Sequence, residues 1–170
     1  RGMSSAASDV YKRQDLGCNI IIISERNISD SNAPIPVLLV CSYVHQSMIR
    51  RNKRSKFGII IESAEPREPH HFSMLFGYGA SAINPYLVNE IISYHHAEGK
   101  FGNTTVEKSI LNYNKAIANG VLKIMNKIGI STLNSYRGSQ IFEALGLRSK
   151  FVEKYFKNTP TRIEGIGLYI

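Results

Sequence analysis

Two short runs made almost entirely of isoleucine, Ile20-Ile-Ile-Ile23 and Phe57-Gly-Ile-Ile-Ile61, constrain the fold of this chain more than any other feature. Branching at Cβ favours extended backbone, and an apolar run without polar alternation predicts a strand buried on both faces, as in parallel sheets. Parallel neighbours need a long crossover, so each strand should be followed by a helix. After the first run, Asn27, Ser29, Asp30 and Pro34 mark a turn. Pro36 then opens a helix in which Val37, Val40, Cys41, Val44 and Met48 share one face.

The rhythm repeats. Residues 57–61 form a second strand and 69–76 a second helix, which breaks at Gly77 and Gly79. Residues 80–83 are a short third strand, and 86–95 a helix that Pro85 opens and Gly99 closes. A helical insertion follows. In Thr104-Thr-Val-Glu107, Thr104 has the spacing of a capping box with Glu107; Ile110, Tyr113, Asn114 and Ile117 share a face, and Asn119-Gly120 should interrupt the helix. Residues 121–128 then form another short helix, closed by Gly129 in the left-handed conformation.

Residues 130–133 read as a fourth strand, Ser135 as an N-cap, and 136–145 as a helix ending at Gly146. A last helix at 150–156 leads into Lys157-Asn-Thr-Pro160, a linker, and Gly165 and Gly167 complete no further element. About four β-α units fall short of the eight that close a barrel. The expected fold class is therefore α/β: an incomplete (β/α) barrel-like domain with parallel strands and outer helices.

Ser4-Ser-Ala-Ala-Ser-Asp-Val-Tyr-Lys-Arg-Gln14 reads as a translated sequencing-library adapter, so residues 1–14 are expected to be non-native. The formal net charge is +8, and Arg50-Arg-Asn-Lys-Arg-Ser-Lys56 is a dense basic run. Such a run raises the question of RNA or an anionic surface, but it lies between a helix and a strand with no nucleic-acid motif beside it. A solvated connection is the expectation, with no nucleic-acid partner. Cys18 and Cys41 are isolated thiols without metal-ligand spacing, which favours a reducing compartment and no disulfide framework. No apolar run reaches the length of a membrane span, so no membrane partner is expected.

Candidates for chemistry are sparse. His70-His71 and His95-His96 are adjacent pairs, and neighbours on a helix point about 100° apart, which suits packing better than chelation of one ion. Gly77-Tyr-Gly79 and Gly165-Ile-Gly167 lack the strand-glycine-helix context of a phosphate cradle. Glu62 falls at the carboxyl end of a strand, where such folds place catalysis; Glu62, Glu65 and Glu68 read rather as partners of Arg67 or caps of the next helix. Arg137 and Gln140 share a face near the start of the expected helix, an arrangement suited to a carboxylate or a neighbouring loop. No nucleophile stands with a base, and no catalytic, cofactor-binding or metal-binding residue is expected.

Several longer strings carry a resemblance. They are Ala33-Pro-Ile-Pro36, residues 62–72 around Glu-Pro-Arg-Glu-Pro-His70-His71, residues 77–87 around Ala-Ile-Asn84-Pro-Tyr, residues 122–147, and Thr161-Arg-Ile-Glu-Gly-Ile-Gly-Leu168. In this order they resemble the central domain of the glutamate synthase large subunit, over essentially all of residues 15–168. The resemblance implies that 15–158 is the C-terminal part of that domain and 159–170 the junction toward an FMN-binding (β/α)8 domain. Family members convert glutamine, 2-oxoglutarate and two electrons into two glutamates, and ammonia passes internally from an amidotransferase domain to the flavin site.

What the resemblance implies here is a non-catalytic spacer that links those two domains and helps shape the ammonia route. His70, His71, Asn84, Arg137 and Gln140 are expected at domain junctions. No cofactor is implied for this stretch, whereas FMN and an iron-sulfur cluster are implied for the parent. The implied partners are the amidotransferase and FMN domains of the same chain, with a small reductase subunit or ferredoxin as electron donor. The implied location is the cytoplasm, or a plastid in a photosynthetic eukaryote. Two rival expectations stand beside it: a basic module for RNA or anionic surfaces, and a small stand-alone enzyme using Glu62 and the histidines.

Overall fold

The isoleucine runs form neighbouring parallel strands in a computed structural model, which describes residues 19–167 apart from Asn27 and Asn32. Strands β1 (Ile20–Ser24), β2 (Gly58–Glu62) and β3 (Ala82–Asn84) make one sheet in that order, all parallel. Helices α1 (Val37–Arg50) and α2 (Pro69–Gly77) cross between them. The register pairs Ser24 with Glu62 and Glu62 with Asn84, so three polar side chains stand in one row at the carboxyl edge of the sheet.

Only one face of this sheet is covered by the crossover helices. Ile21 is 6% exposed and Ile59 and Ile61 are fully buried, packed with Val40, Cys41, Val44 and Met48 of α1 and Leu75 of α2. Each isoleucine so buried contributes about 1.5–3 kcal/mol relative to an exposed one. On the other face Ile20 and Ile22 are 60% and 62% exposed, which corrects the expectation of burial on both sides. Lack of polar alternation thus records an apolar outer face, not a covered one.

Helix α3 (Tyr86–Ala97) follows β3, and α4 (Val106–Ile128) runs unbroken through Asn119 and Gly120. The expected interruption is absent because Gly120 serves a helix crossing: a Cβ there would strike the ring of Pro69 in α2. Glycine costs a helix interior up to about 1 kcal/mol, a cost met here by packing of Ile117, Val121 and Met125 with Phe72 and Tyr136. The N-cap also shifts by one residue. Thr105, not Thr104, accepts from the amide of Lys108 at 3.2 Å. Gly129 does close the helix, at φ 80°.

After Gly129 the structure departs from the expected strand and helix. Thr132 caps a single turn, α5 (Leu133–Tyr136), and an extended stretch leads to β4 (Ala144–Leu147). Tyr136 is fully buried, whereas Gly138 and Gln140 adopt φ of 72° and 57°, which no right-handed helix accommodates. Helix α6 (Ser149–Tyr155) then crosses to β5 (Thr161–Ile166), a strand missed in the sequence, which pairs with β4 in parallel with register shifts. Among the described residues the strands thus fall into a three-stranded and a two-stranded sheet. The α/β class with parallel strands and helices stands.

Candidate functional site

At the carboxyl edge of the first sheet, the register converts three separate strand ends into one cluster. The Glu62 carboxylate accepts from the Ser24 hydroxyl at 2.5 Å, from Arg26 Nε at 2.9 Å and from Asn84 Nδ2 at 3.1 Å. Arg26 also reaches Glu90 at 3.2 Å and lies 4.3 Å from the centre of the Tyr86 ring. Hydrogen bonds from Arg26 and then Ser24 hold the Glu62 carboxyl below its usual range. A carboxylate stabilised in its ionised form by three donors is a structural anchor and a poor general acid.

The other acidic candidates cap helices. Glu65 accepts from the amide of Val37 at 3.0 Å and so closes the start of the preceding helix, α1, while burial pushes its carboxyl up. Glu68 forms a capping box with His71 at the start of α2, and Nδ1 of His71 accepts from the amides of Glu68 and Arg67 at 3.3 and 3.2 Å. His71 also lines a groove of about 340 Å³ with Leu38, Pro66, Arg67 and Met74. His70, exposed, sets its ring edge toward Phe142 with centroids 6.1 Å apart. His95 pairs with Glu98 at 3.0 Å, and His96 bonds Ser109 at 2.9 Å while stacking on Phe101. Among the described residues no group of three metal-ligating side chains forms.

Arg137 and Gln140 lie in the loop after α5, not on a shared helical face. Both nonetheless come close to a feature that the sequence reading passed over. The basic run does not project wholly into solvent: Arg54 turns inward and donates to Nδ1 of His45 at 2.8 Å, to the carbonyl of Phe57 at 2.8 Å and to that of Gly79 at 2.7 Å. Burial lowers the pKa of His45 to about 4, and the charges of Arg54 and Arg137 push the same way. His45, Gly138, Ser139, Gln140, Lys157 and Thr159 contribute to the lining of a recess of about 40 Å³. Arg137 Nε is buried without a hydrogen-bond partner among the described residues. The signal available in advance was His45 itself, one turn after Cys41 on the buried side of α1.

Cys41 does not fit a thiolate ligand. It is fully buried, its thiol points to the carbonyls of Leu75 and Tyr78, and burial pushes it up to about 12. Cys18 lies outside the described residues, as do residues 1–14. No helix among the described residues is long and apolar enough to cross a membrane.

Residues 2–148 match the family model described as glutamate synthase central domain. The chain is 42% identical over 99% of its length to the glutamate synthase [NADPH] large chain of Bacillus subtilis, of which it covers 11%. It is 41% identical over 89% of its length to the chain of the same name from Azospirillum brasilense, of which it covers 10%. The chain thus spans about a tenth of the curated relatives it matches. In fold it resembles a flavocytochrome b2 double mutant with pyruvate bound, with a TM-score of 0.57, 18% identity, and coverage of 77% of this chain and 31% of the other.

Proposed function

The chain belongs to the glutamate synthase central-domain family, and from that premise we propose that it is a non-catalytic spacer in a glutamate synthase. The parent would convert glutamine, 2-oxoglutarate and two electrons into two glutamates. This stretch, 15–158 with 159–170 as a junction, would hold the amidotransferase and FMN-binding domains at a fixed distance and help wall the ammonia route. FMN and an iron-sulfur cluster belong to other parts of the parent in this reading, as does contact with a reductase subunit or ferredoxin. The same reading puts the protein in the cytoplasm or a plastid.

The family match over residues 2–148 carries the proposal. Two structural features support it. The carboxylates that stand where such folds place chemistry are committed: Glu62 to three donors and Glu65 and Glu68 to helix starts. Both sheets also leave apolar side chains uncovered, with Ile20, Ile22, Leu145, Ile163 and Ile166 exposed, as befits a piece packed against further polypeptide. An incomplete (β/α) barrel is the architecture we propose for it, and His70, His71, Asn84, Arg137 and Gln140 are the proposed junction residues.

The inward turn of Arg54 weighs against the RNA reading, because a cation spent on carbonyls and His45 is withdrawn from a phosphate-binding strip. The stand-alone enzyme reading loses Glu62 and the histidines to other partners. The test is Arg137→Ala in the full-length protein. Glutamine-dependent glutamate formation should fall several-fold more than hydrolysis of glutamine alone; equal losses would sink the spacer reading.

A further inference from the structure

We propose that the recess beside His45 is a binding site for a single carboxylate group. Arg54 Nε can only donate, so Nδ1 of His45 is the acceptor in their 2.8 Å bond and the ring proton of the neutral imidazole sits on Nε2. That Nε2 faces the loop at Gly138, where an added Cβ would lie 3.9 Å away. The recess is therefore supplied with an N–H donor from a deeply set ring whose orientation is locked from behind.

The rest of the lining agrees in sign. Gln46 and Gln140 bring amides and Lys157 an ammonium, and among the described residues no carboxylate lines the recess. Arg54 lies behind it, and Arg137 is near enough to His45 to act on its charge, with Nε buried and unpartnered among the described residues. Positive charge gathered in a partly desolvated place without a counter-charge favours an anion. Size then selects the group. About 40 Å³ holds two or three waters or the head of one carboxylate, and leaves no room for a nucleotide or an aromatic ring.

Backbone conformation points the same way. Gln140 and, next to Lys157, Asn158 take left-handed φ values of 57° and 66°. For a glutamine this is an uncommon state, retained where surrounding structure imposes it. The two residues bring the loop after α5 and the turn after α6 to the rim of the recess. Gly79 lets the His45 ring pack closely on the backbone, since a Cβ there would strike it. The site rests on the geometry of the folded chain and does not depend on the spacer reading.

The carboxylate can come from an Asp or Glu of adjoining polypeptide or from a free small acid, and acetate is the probe that separates them. Electron cryomicroscopy of the full-length protein, in chloride and in acetate at equal ionic strength, should show a carboxylate head bonded to at least two of the donors from His45, Gln46, Gln140 and Lys157. Density continuous with polypeptide in both maps identifies a side chain, whereas isolated density only in acetate identifies the free acid. For a free acid, Lys157→Met should weaken the acetate-induced rise in melting midpoint about tenfold in acetate concentration and Lys157→Arg should restore it. For a side chain, Lys157→Met should lower the midpoint without acetate, and Lys157→Arg should recover it. Water alone in both maps overturns the proposal, as does isolated density that Lys157→Met leaves unchanged, which would be an adventitious additive only.

Discussion

The side chain of Arg54 donates through Nε to Nδ1 of His45 at 2.8 Å, and this bond fixes both the charge and the tautomer of a buried histidine. A protonated imidazole would have no acceptor to offer Arg54 and would set two cations face to face. Burial lowers the His45 pKa to about 4, and the guanidinium charge adds to that effect.

Stability should accordingly depend on pH in a defined direction. His45 titrates near 6.5 when unfolded and near 4 when folded, so between those values the unfolded state binds more protons. The contribution is fully present above about pH 6.5 and is lost as pH falls toward 4, on the order of 3 kcal/mol in all. Glu62, held below its usual range, loses its stabilising contribution as pH falls below the ordinary carboxylate range. The melting midpoint of the full-length protein should drop between pH 7 and 4, and His45→Gln, which keeps an acceptor for Arg54, should flatten that drop. An equal drop in both proteins would refute the assignment.

Gly79→Ala should be among the costlier single-methyl additions in the chain. Gly79 sits at φ 117°, outside the range of other residues, and the new Cβ would press into the His45 ring. Strain and overpacking together predict a loss of roughly 2–4 kcal/mol. Melting of the variant beside Gly99→Ala, at φ 75° and with nothing within 4 Å of its Cβ, should show Gly79→Ala as the more destabilised of the two.

Thr105→Ala and Thr104→Ala should separate cleanly. Thr105 accepts from Lys108 N at 3.2 Å, and losing an N-cap costs typically about 1 kcal/mol. Hydrogen exchange in the first turn of α4 should quicken about fivefold in Thr105→Ala. Thr104→Ala should leave it unchanged.

Glu62→Gln should not abolish catalysis. Loss of a general acid or base costs about 10²–10⁴-fold, whereas removing the charge from a structural anchor should leave turnover of the full-length protein within about twofold. Hydrogen exchange should still register the change as looser protection around Arg26 and Asn84, whose bonds to Glu62 weaken. A turnover loss of a hundredfold would return Glu62 to the list of catalytic residues.

The order of local elements up to the start of α4 is legible in the chain itself. Isoleucine runs specify β1 and β2 by local stereochemistry; Pro36, Pro69 and Pro85 stand at helix starts, and Gly129 at a helix end, because their backbone preferences act within one turn. The strings around His70, Asn84 and Arg137 also sufficed for the family. Tertiary structure alone decided the rest. Gly120 continues a helix because Pro69 packs against it, and the residues after Tyr136 extend because that ring is buried and Leu145 pairs with Ile163. Arg54 turns away from the basic run because three acceptors outside it, from His45, Phe57 and Gly79, meet where it points. Periodicity reports only what neighbours in sequence share, and the recess at His45 is assembled from segments that only folding brings together.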